Sequence, residues 1–165
     1  MPLTSTDPPL AFQDHDHAGC CGGLIGQAET LAAERGARLT PVRRRVLEIL
    51  LAEHRAFGAY EVLERLVRDG FGNQPPVAYR ALDFLVDQGL AHRISRLNAF
   101  MACTRPGQMH TPAVLICRTC HMVAETPGTL VRDAIDRDAA TAGFVVERTT
   151  VEALGLCPAC QRAAA

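Results

Sequence analysis

The sequence predicts an α+β chain in two parts, an N-terminal winged helix-turn-helix and a small α/β unit stapled by a four-cysteine zinc site. Three observations predict it. Two Cys-x-x-Cys pairs, Cys117-Arg118-Thr119-Cys120 and Cys157-Pro158-Ala159-Cys160, fall in the last third of the chain. Three amphipathic helical patterns follow one another between Thr40 and Gly89. Two short apolar runs, Leu90–Ser95 and Phe100–Cys103, then flank the tetrapeptide Arg96-Leu97-Asn98-Ala99, which reads as a hairpin turn.

Residues 1–21 hold three Pro and the cluster Asp14-His15-Asp16-His17-Ala18-Gly19-Cys20-Cys21. No apolar period runs through them, so they read as a flexible acidic tail. A first helix is expected from Gly22 to Gly36, with Leu24, Ala28, Leu31 and Ala32 on one side. Thr40-Pro41 starts a second, through a hydroxyl cap and a Pro whose missing N–H costs nothing in a first turn. Val42, Val46, Ile49 and Leu50 form its apolar stripe. A third helix is expected over Tyr60–Asp69, burying Val62, Leu63, Leu66 and Val67. Pro75-Pro76 opens a fourth, which Gly89 closes; Ala78, Leu82, Leu85 and Val86 face the core, Pro76, Arg80, Asp83 and Asp87 face out, and Tyr79 lies at the border.

Residues 104–112 contain two Pro and a Gly and read as a linker. Ala113–Cys117 and Met122–Glu125 are strand-like. Thr126-Pro127 caps a further helix with Leu130, Val131, Ala134, Ile135 and Ala142 as its apolar side, and Gly143 ends it. Phe144–Val151 is β-rich and leads to the second Cys pair. This last unit, of roughly 50 residues, is too small to bury much core alone. Zinc and a partner subunit are both ways to stabilise it.

The 165-residue chain has 17 basic and 18 acidic residues, and every basic residue is Arg. Residues 1–34 carry five acids and no base, whereas residues 35–96 carry eleven Arg against seven acids. The middle third is therefore the face for a polyanion. No run of about 18 apolar residues exists, so no membrane span is expected. The N-terminus has no secretory pattern, which leaves a cytoplasmic location as the expectation. In a reducing compartment, paired cysteines read as metal ligands before disulfides.

Thirty-six residues separate Cys120 from Cys157, enough for strand, helix and strand. Four stray cysteines are the bland alternative, but two x-x spacings speak against it. A redox pair is weakly supported, since no thioredoxin-like context surrounds either one. Cys117, Cys120, Cys157 and Cys160 leave no open coordination position, so a zinc held there is structural. A zinc deaminase, the nearest enzymatic reading, needs a His-x-Glu that the sequence lacks. No nucleotide-binding Gly loop or Gly-x-Ser-x-Gly is present. No enzymatic activity and no small-molecule substrate are expected.

Thr40-Pro41-Val42-Arg43, Pro75-Pro76-Val77-Ala78-Tyr79-Arg80-Ala81-Leu82-Asp83-Phe84-Leu85 and the two Cys pairs resemble the ferric uptake regulator family over roughly residues 25–160. Within it, Tyr-Arg-Ala-Leu-Asp-Phe-Leu and the ending Gly155-Leu156-Cys157 resemble the zinc uptake regulator branch. The resemblance implies a cytoplasmic homodimer that represses zinc-uptake genes by binding palindromic operator DNA when zinc is bound. The expected division is a flexible acidic tail over 1–21, which is an addition to the family, a winged-helix DNA-binding domain over 22–104, a hinge over 105–112 and a zinc-binding dimerisation domain over 113–165. The chain departs from the family at Val77-Ala78, where Thr-Val is common, and its His-rich hinge is reduced to His110.

The resemblance also implies two zinc ions per chain, one structural and one regulatory. His92, Cys103, His110 and Glu125 match the sensing ligands of the zinc branch. His, Cys, His and Glu form a mixed donor set that suits tetrahedral zinc. The bland alternative is a surface or core His and a solvated Glu. Ligands drawn from wing, linker and C-terminal unit share one ion only if the winged-helix domain, the head of the molecule, docks at one angle. For DNA, Arg80 and Tyr79 are the candidates for base edges, and Arg43 and Arg44 for phosphates; Tyr60 joins them by resemblance. A solvated charged face is the alternative for the Arg cluster. Two further readings stay open: an iron-, manganese- or peroxide-sensing member of the same family, and a zinc-buffering or interaction module without a DNA target. His15, His17, Cys20 and Cys21 read as tail, with weak extra zinc binding as the alternative.

Overall fold

The computed structural model of the chain describes residues 10–12, 17–108 and 110–164. Helix α1 (His17–Glu34) begins five residues before the expected Gly22, so residues 17–21 are helix where the sequence suggested tail. The Gly22-Gly23 pair does not stop it. Each Gly costs about 1 kcal/mol in a helix, and Cys21, Leu24 and Ile25 offset this by packing on the core of the head. Residues 1–9 and 13–16 of the expected tail, His15 among them, lie outside the described residues.

Helix α2 (Pro41–Leu51) starts at its Pro. Thr40 takes the extended cap backbone, but its hydroxyl makes no capping bond, so the fixed φ of Pro41 sets the start. A two-residue strand β1 (Phe57–Gly58) precedes α3 (Ala59–Arg68). In α3 the buried residues are Ala59, Val62, Leu63 and Leu66, while Val67, expected inside, is exposed. Helix α4 (Pro75–Asp87) follows, then β2 (Ala91–Ile94) and β3 (Ala99–Ala102). The three strands form an antiparallel sheet in the order β1-β3-β2. Strand β1 is too short to show a period of two, which is why the sequence did not reveal it. One apolar cluster joins Val46, Ile49 and Leu50 of α2 to Val62, Leu66, Leu82, Leu85, Phe57 and Phe100.

The second sheet contains β4 (Ala113–Cys117), β5 (Val123–Thr126) and β6 (Val151–Gly155) in the order β5-β4-β6. Strand β5 is antiparallel to β4 and β6 is parallel to it. A parallel neighbour needs a crossover, supplied by α5 (Thr129–Thr141). That helix starts after Thr126-Pro127, because Thr126 is still paired with Ala113. Gly128 turns the chain at φ 64°, where a Cβ would stand 2.5 Å from the Thr111 carbonyl oxygen. The strand expected over Phe144–Val151 is displaced to 151–155, since residues 144–150 find no partner strand among the described residues. A short helix α6 (Pro158–Ala164), not foreseen, carries Cys160.

The two sheets meet. Ile94 and Met101 of the first pack against Val114, Ile116 and Val123 of the second. The Val123 N–H donates to the His54 carbonyl at 3.0 Å. Helix α5, by contrast, buries none of its residues within the chain: Leu130 is 75% exposed. Among the described residues no helix is long and apolar enough to cross a membrane.

Candidate metal centres

The first cluster is built by two turns at one end of the second sheet. Cys117 closes β4, and the chain reverses through Cys120, with the His121 N–H donating to the Cys117 carbonyl at 3.0 Å. His121 sits at φ 61°, a left-handed conformation that the reversal requires. The Arg118 N–H donates to the Gly155 carbonyl at 2.9 Å and brings this turn beside the end of β6. Cys157 and Cys160 follow there. The four Cys ligand atoms lie within 4.8 Å of one another. Cys120 Sγ is 3.6 Å from Cys157 Sγ, close to the edge of about 3.8 Å of a tetrahedron with Zn–S bonds of about 2.3 Å. The backbone N–H groups of Cys120 and Cys157 hold the Cys117 thiol down at about 5. The hydrogen bond to Cys157, with burial, pushes Cys160 up to about 12. One thiolate is thus already favoured at this cluster, and the donor set fits zinc.

The second cluster lies between the sheets. His92 is on β2, Cys103 follows β3, His110 is in the segment before β4, and Glu125 is on β5. Their ligand atoms also lie within 4.8 Å of one another. Glu125 Oε1 is 3.1 Å from His92 Nε2 and 2.5 Å from His110 Nε2. Cys103 Sγ is 3.6 Å from His110 Nε2. The other oxygen of Glu125 accepts from Thr104, at 2.9 Å from its N–H and 2.8 Å from its hydroxyl. His110 Nδ1 is 2.8 Å from the Gln108 carbonyl oxygen. A carbonyl can only accept, so this contact places a proton on Nδ1, and Nε2, which points at Glu125, is the nitrogen that would meet a metal.

Charge at this cluster is set by burial and by neighbours. Burial works against the Glu125 carboxylate, but the His92 hydrogen bond and charge, with the two Thr104 bonds, hold it down at about 2. Burial and then the Glu125 charge push the Cys103 thiol up to about 12. Cys103 would give up its proton to serve as a metal ligand, because the thiolate is the ligand form. One thiolate, two imidazoles and one carboxylate within this spacing fit zinc.

These clusters can be set beside known proteins. No family model matches the chain. It is 39% identical over 138 residues to the zinc uptake regulation protein of Escherichia coli, covering 83% of this chain and 81% of the relative. The chain belongs to the zinc uptake regulator branch of the ferric uptake regulator family. Among solved structures, a zinc uptake regulator complexed with zinc and DNA superposes with a TM-score of 0.83 at 37% identity, covering 87% of this chain and 97% of that one. Holo XcZur gives 0.77 at 36% identity, covering 87% and 99%. Apo XcZur gives only 0.50 at 35% identity over the same 87% and 99%.

The residues picked out for DNA contact fall into two groups. Tyr60 on α3 and Tyr79 and Arg80 on α4 are exposed. Arg43 instead stacks over the Phe84 ring at 3.6 Å and donates to the Arg38 carbonyl at 2.8 Å. Arg44 pairs with Glu29 of α1 and with Glu48 at 3.1 Å. Sequence reasoning did not find Thr104 or the Gln108 carbonyl. A hydroxyl and a backbone oxygen leave no pattern in a sequence, and only the ligand each supports reveals them.

Proposed function

We propose that the chain is a zinc-responsive transcriptional repressor. In this reading it acts in the cytoplasm as a homodimer, on palindromic operator DNA of zinc-uptake genes, when its mixed site holds zinc. It is a regulator and not an enzyme, as its zinc uptake regulator relatives are. The observation that carries the reading is the origin of the mixed donors: His92 and Cys103 belong to the head, while Glu125 belongs to the second sheet. Donors from both units converge only when the units dock as they do here, so filling the site favours this arrangement over others. The greater likeness to holo than to apo XcZur supports the same reading. Zinc bound here supplies a positive charge that balances the Cys103 thiolate and the Glu125 carboxylate.

The four-cysteine cluster is the structural site, closed by four thiolates, which makes two zinc ions per chain. Helices α2–α4 and strands β1–β3 act as a winged helix-turn-helix, with α4 as the reading helix and Arg80 and Tyr79 its base contacts. Tyr60, Arg43 and Arg44 serve backbone positioning, Arg43 and Arg44 by exchanging internal partners for phosphates. Helix α5 and residues 144–150, exposed and apolar at Leu130, Val131, Ile135, Phe144 and Val145, form the dimer face.

The test is capture of genomic DNA fragments by the purified protein and by its Cys103→Ser variant, with excess zinc and with labile metal chelated. The expected outcome is zinc-dependent enrichment of a few palindromic sites by the parent protein. The variant keeps its four-thiolate zinc and loses that enrichment. Enrichment that ignores zinc, or a variant indistinguishable from the parent, overturns the reading.

A further inference from the structure

Val114 on β4 pairs in register with Glu125 on one side and with Glu152 on the other. The three residues form one row across the second sheet, on the face that meets the head. With strands about 4.8 Å apart, the two Glu positions are roughly 10 Å apart. Both grip the same strand of the head. Glu125 faces His92 near the start of β2. The two oxygens of Glu152 accept from the N–H groups of Ser95, at 2.7 Å, and Arg96, at 3.0 Å, just past its end. His92 to Ser95 is three residues of extended chain, also about 10 Å. Strand β2 therefore lies across the second sheet and is held at both ends, with Ile94 packed in the apolar cluster between them.

We propose that Glu152 is a positioning residue that holds the wing turn on the second sheet and fixes the angle of the head. A single grip at the metal site leaves the head free to pivot about it, and the second grip removes that freedom. The Glu152 grip uses backbone amides, so it does not depend on the side chains at positions 95 and 96, and zinc strengthens it only by holding the head docked. Both hydrogen bonds are charge-assisted, the stronger kind. This inference rests on the functional reading above, in which DNA affinity depends on head angle.

The experiment compares the full-length protein with Glu152→Gln, which keeps the shape and removes the charge. Hydrogen exchange is read at the Ser95 and Arg96 amides, with and without zinc. Binding is measured to a duplex that the parent protein selects from a random pool in excess zinc. In the parent, zinc slows exchange at both amides. In the variant, exchange there quickens about tenfold and duplex affinity falls by a similar factor, while both zinc sites still fill. Duplex affinity that is unchanged overturns the proposal. So does tighter binding, which would mean that the carboxylate shields the wing amides from phosphate. Should Glu152→Gln fail to fold, exchange in the parent decides: amides indifferent to zinc overturn the proposal. A parent that binds no DNA with zinc refutes the functional reading, and the exchange measurement still tests the grip.

Discussion

The two oxygens of Glu125 have separate duties. Oε1 faces both imidazoles, and Oε2 is tied to Thr104. A buried carboxylate with one oxygen anchored presents the other at a fixed position, which pre-organises a ligand. Thr104→Val removes one anchoring bond without changing the side-chain shape. It is expected to weaken zinc at the mixed site by about tenfold and to leave the four-thiolate zinc alone, as competition with a chromophoric chelator measures. Arg80 is exposed on α4. Among the described residues its guanidinium has no hydrogen-bond partner, unlike those of Arg43 and Arg44. Arg80→Ala is expected to cost about 1–3 kcal/mol in binding to a selected duplex and much less to random DNA. Equal losses on both duplexes would make it a phosphate contact.

Among elements, the link from α2 to α3 is stitched by charge. Arg55 lies over the Phe57 ring at 4.0 Å, pairs with Glu61, and donates to Glu53 at 2.7 Å. Arg65 reaches Glu53 from the next turn of α3 at 3.0 Å. The Arg55 hydrogen bond holds Glu61 below its ordinary 4.5, and Arg55 with Arg65 does the same for Glu53. A carboxyl depressed in the folded state adds stability that is complete above the unfolded value and is lost as pH falls through the folded one. Glu61→Gln is therefore expected to lower stability near neutral pH by at most about 1 kcal/mol, since solvent screens the cluster. The gap should narrow below about pH 4.5. Denaturant midpoints of both proteins across that range measure it.

At the scale of the molecule, the proposed dimer rests on the exposed apolar side of the second unit. Among the described residues nothing covers the apolar side of its helix α5, and Val145 beyond it is 82% exposed. Monomeric proteins rarely leave so large an apolar patch to water. The paired change Leu130→Asp with Ile135→Asp is expected to give a folded monomer that still takes up zinc at the four-cysteine cluster, as sedimentation and metal analysis would show. A dimer that survives both changes places the interface elsewhere.

Local spacing carried the four-cysteine cluster and the helices. A Cys-x-x-Cys pair reaches one ion through its own turn, and the period of Val46, Leu50, Val62, Leu66, Leu82 and Leu85 is a property of single helices. The ligands of the mixed cluster were legible only through family likeness, because positions 92, 103, 110 and 125 belong to no local pattern. Strand β1 was invisible at two residues, and the strand expected from 144 formed at 151 because pairing is decided by the neighbour. Thr104, the Gln108 carbonyl and Glu152 left no trace in the sequence at all. What the sequence determined by itself is what nearest neighbours along the chain enforce: helix periods, the turn between β2 and β3 and the paired thiols. What only the tertiary structure decided is which distant groups share a volume, because burial and hydrogen-bond partners are set by chain segments tens of residues apart.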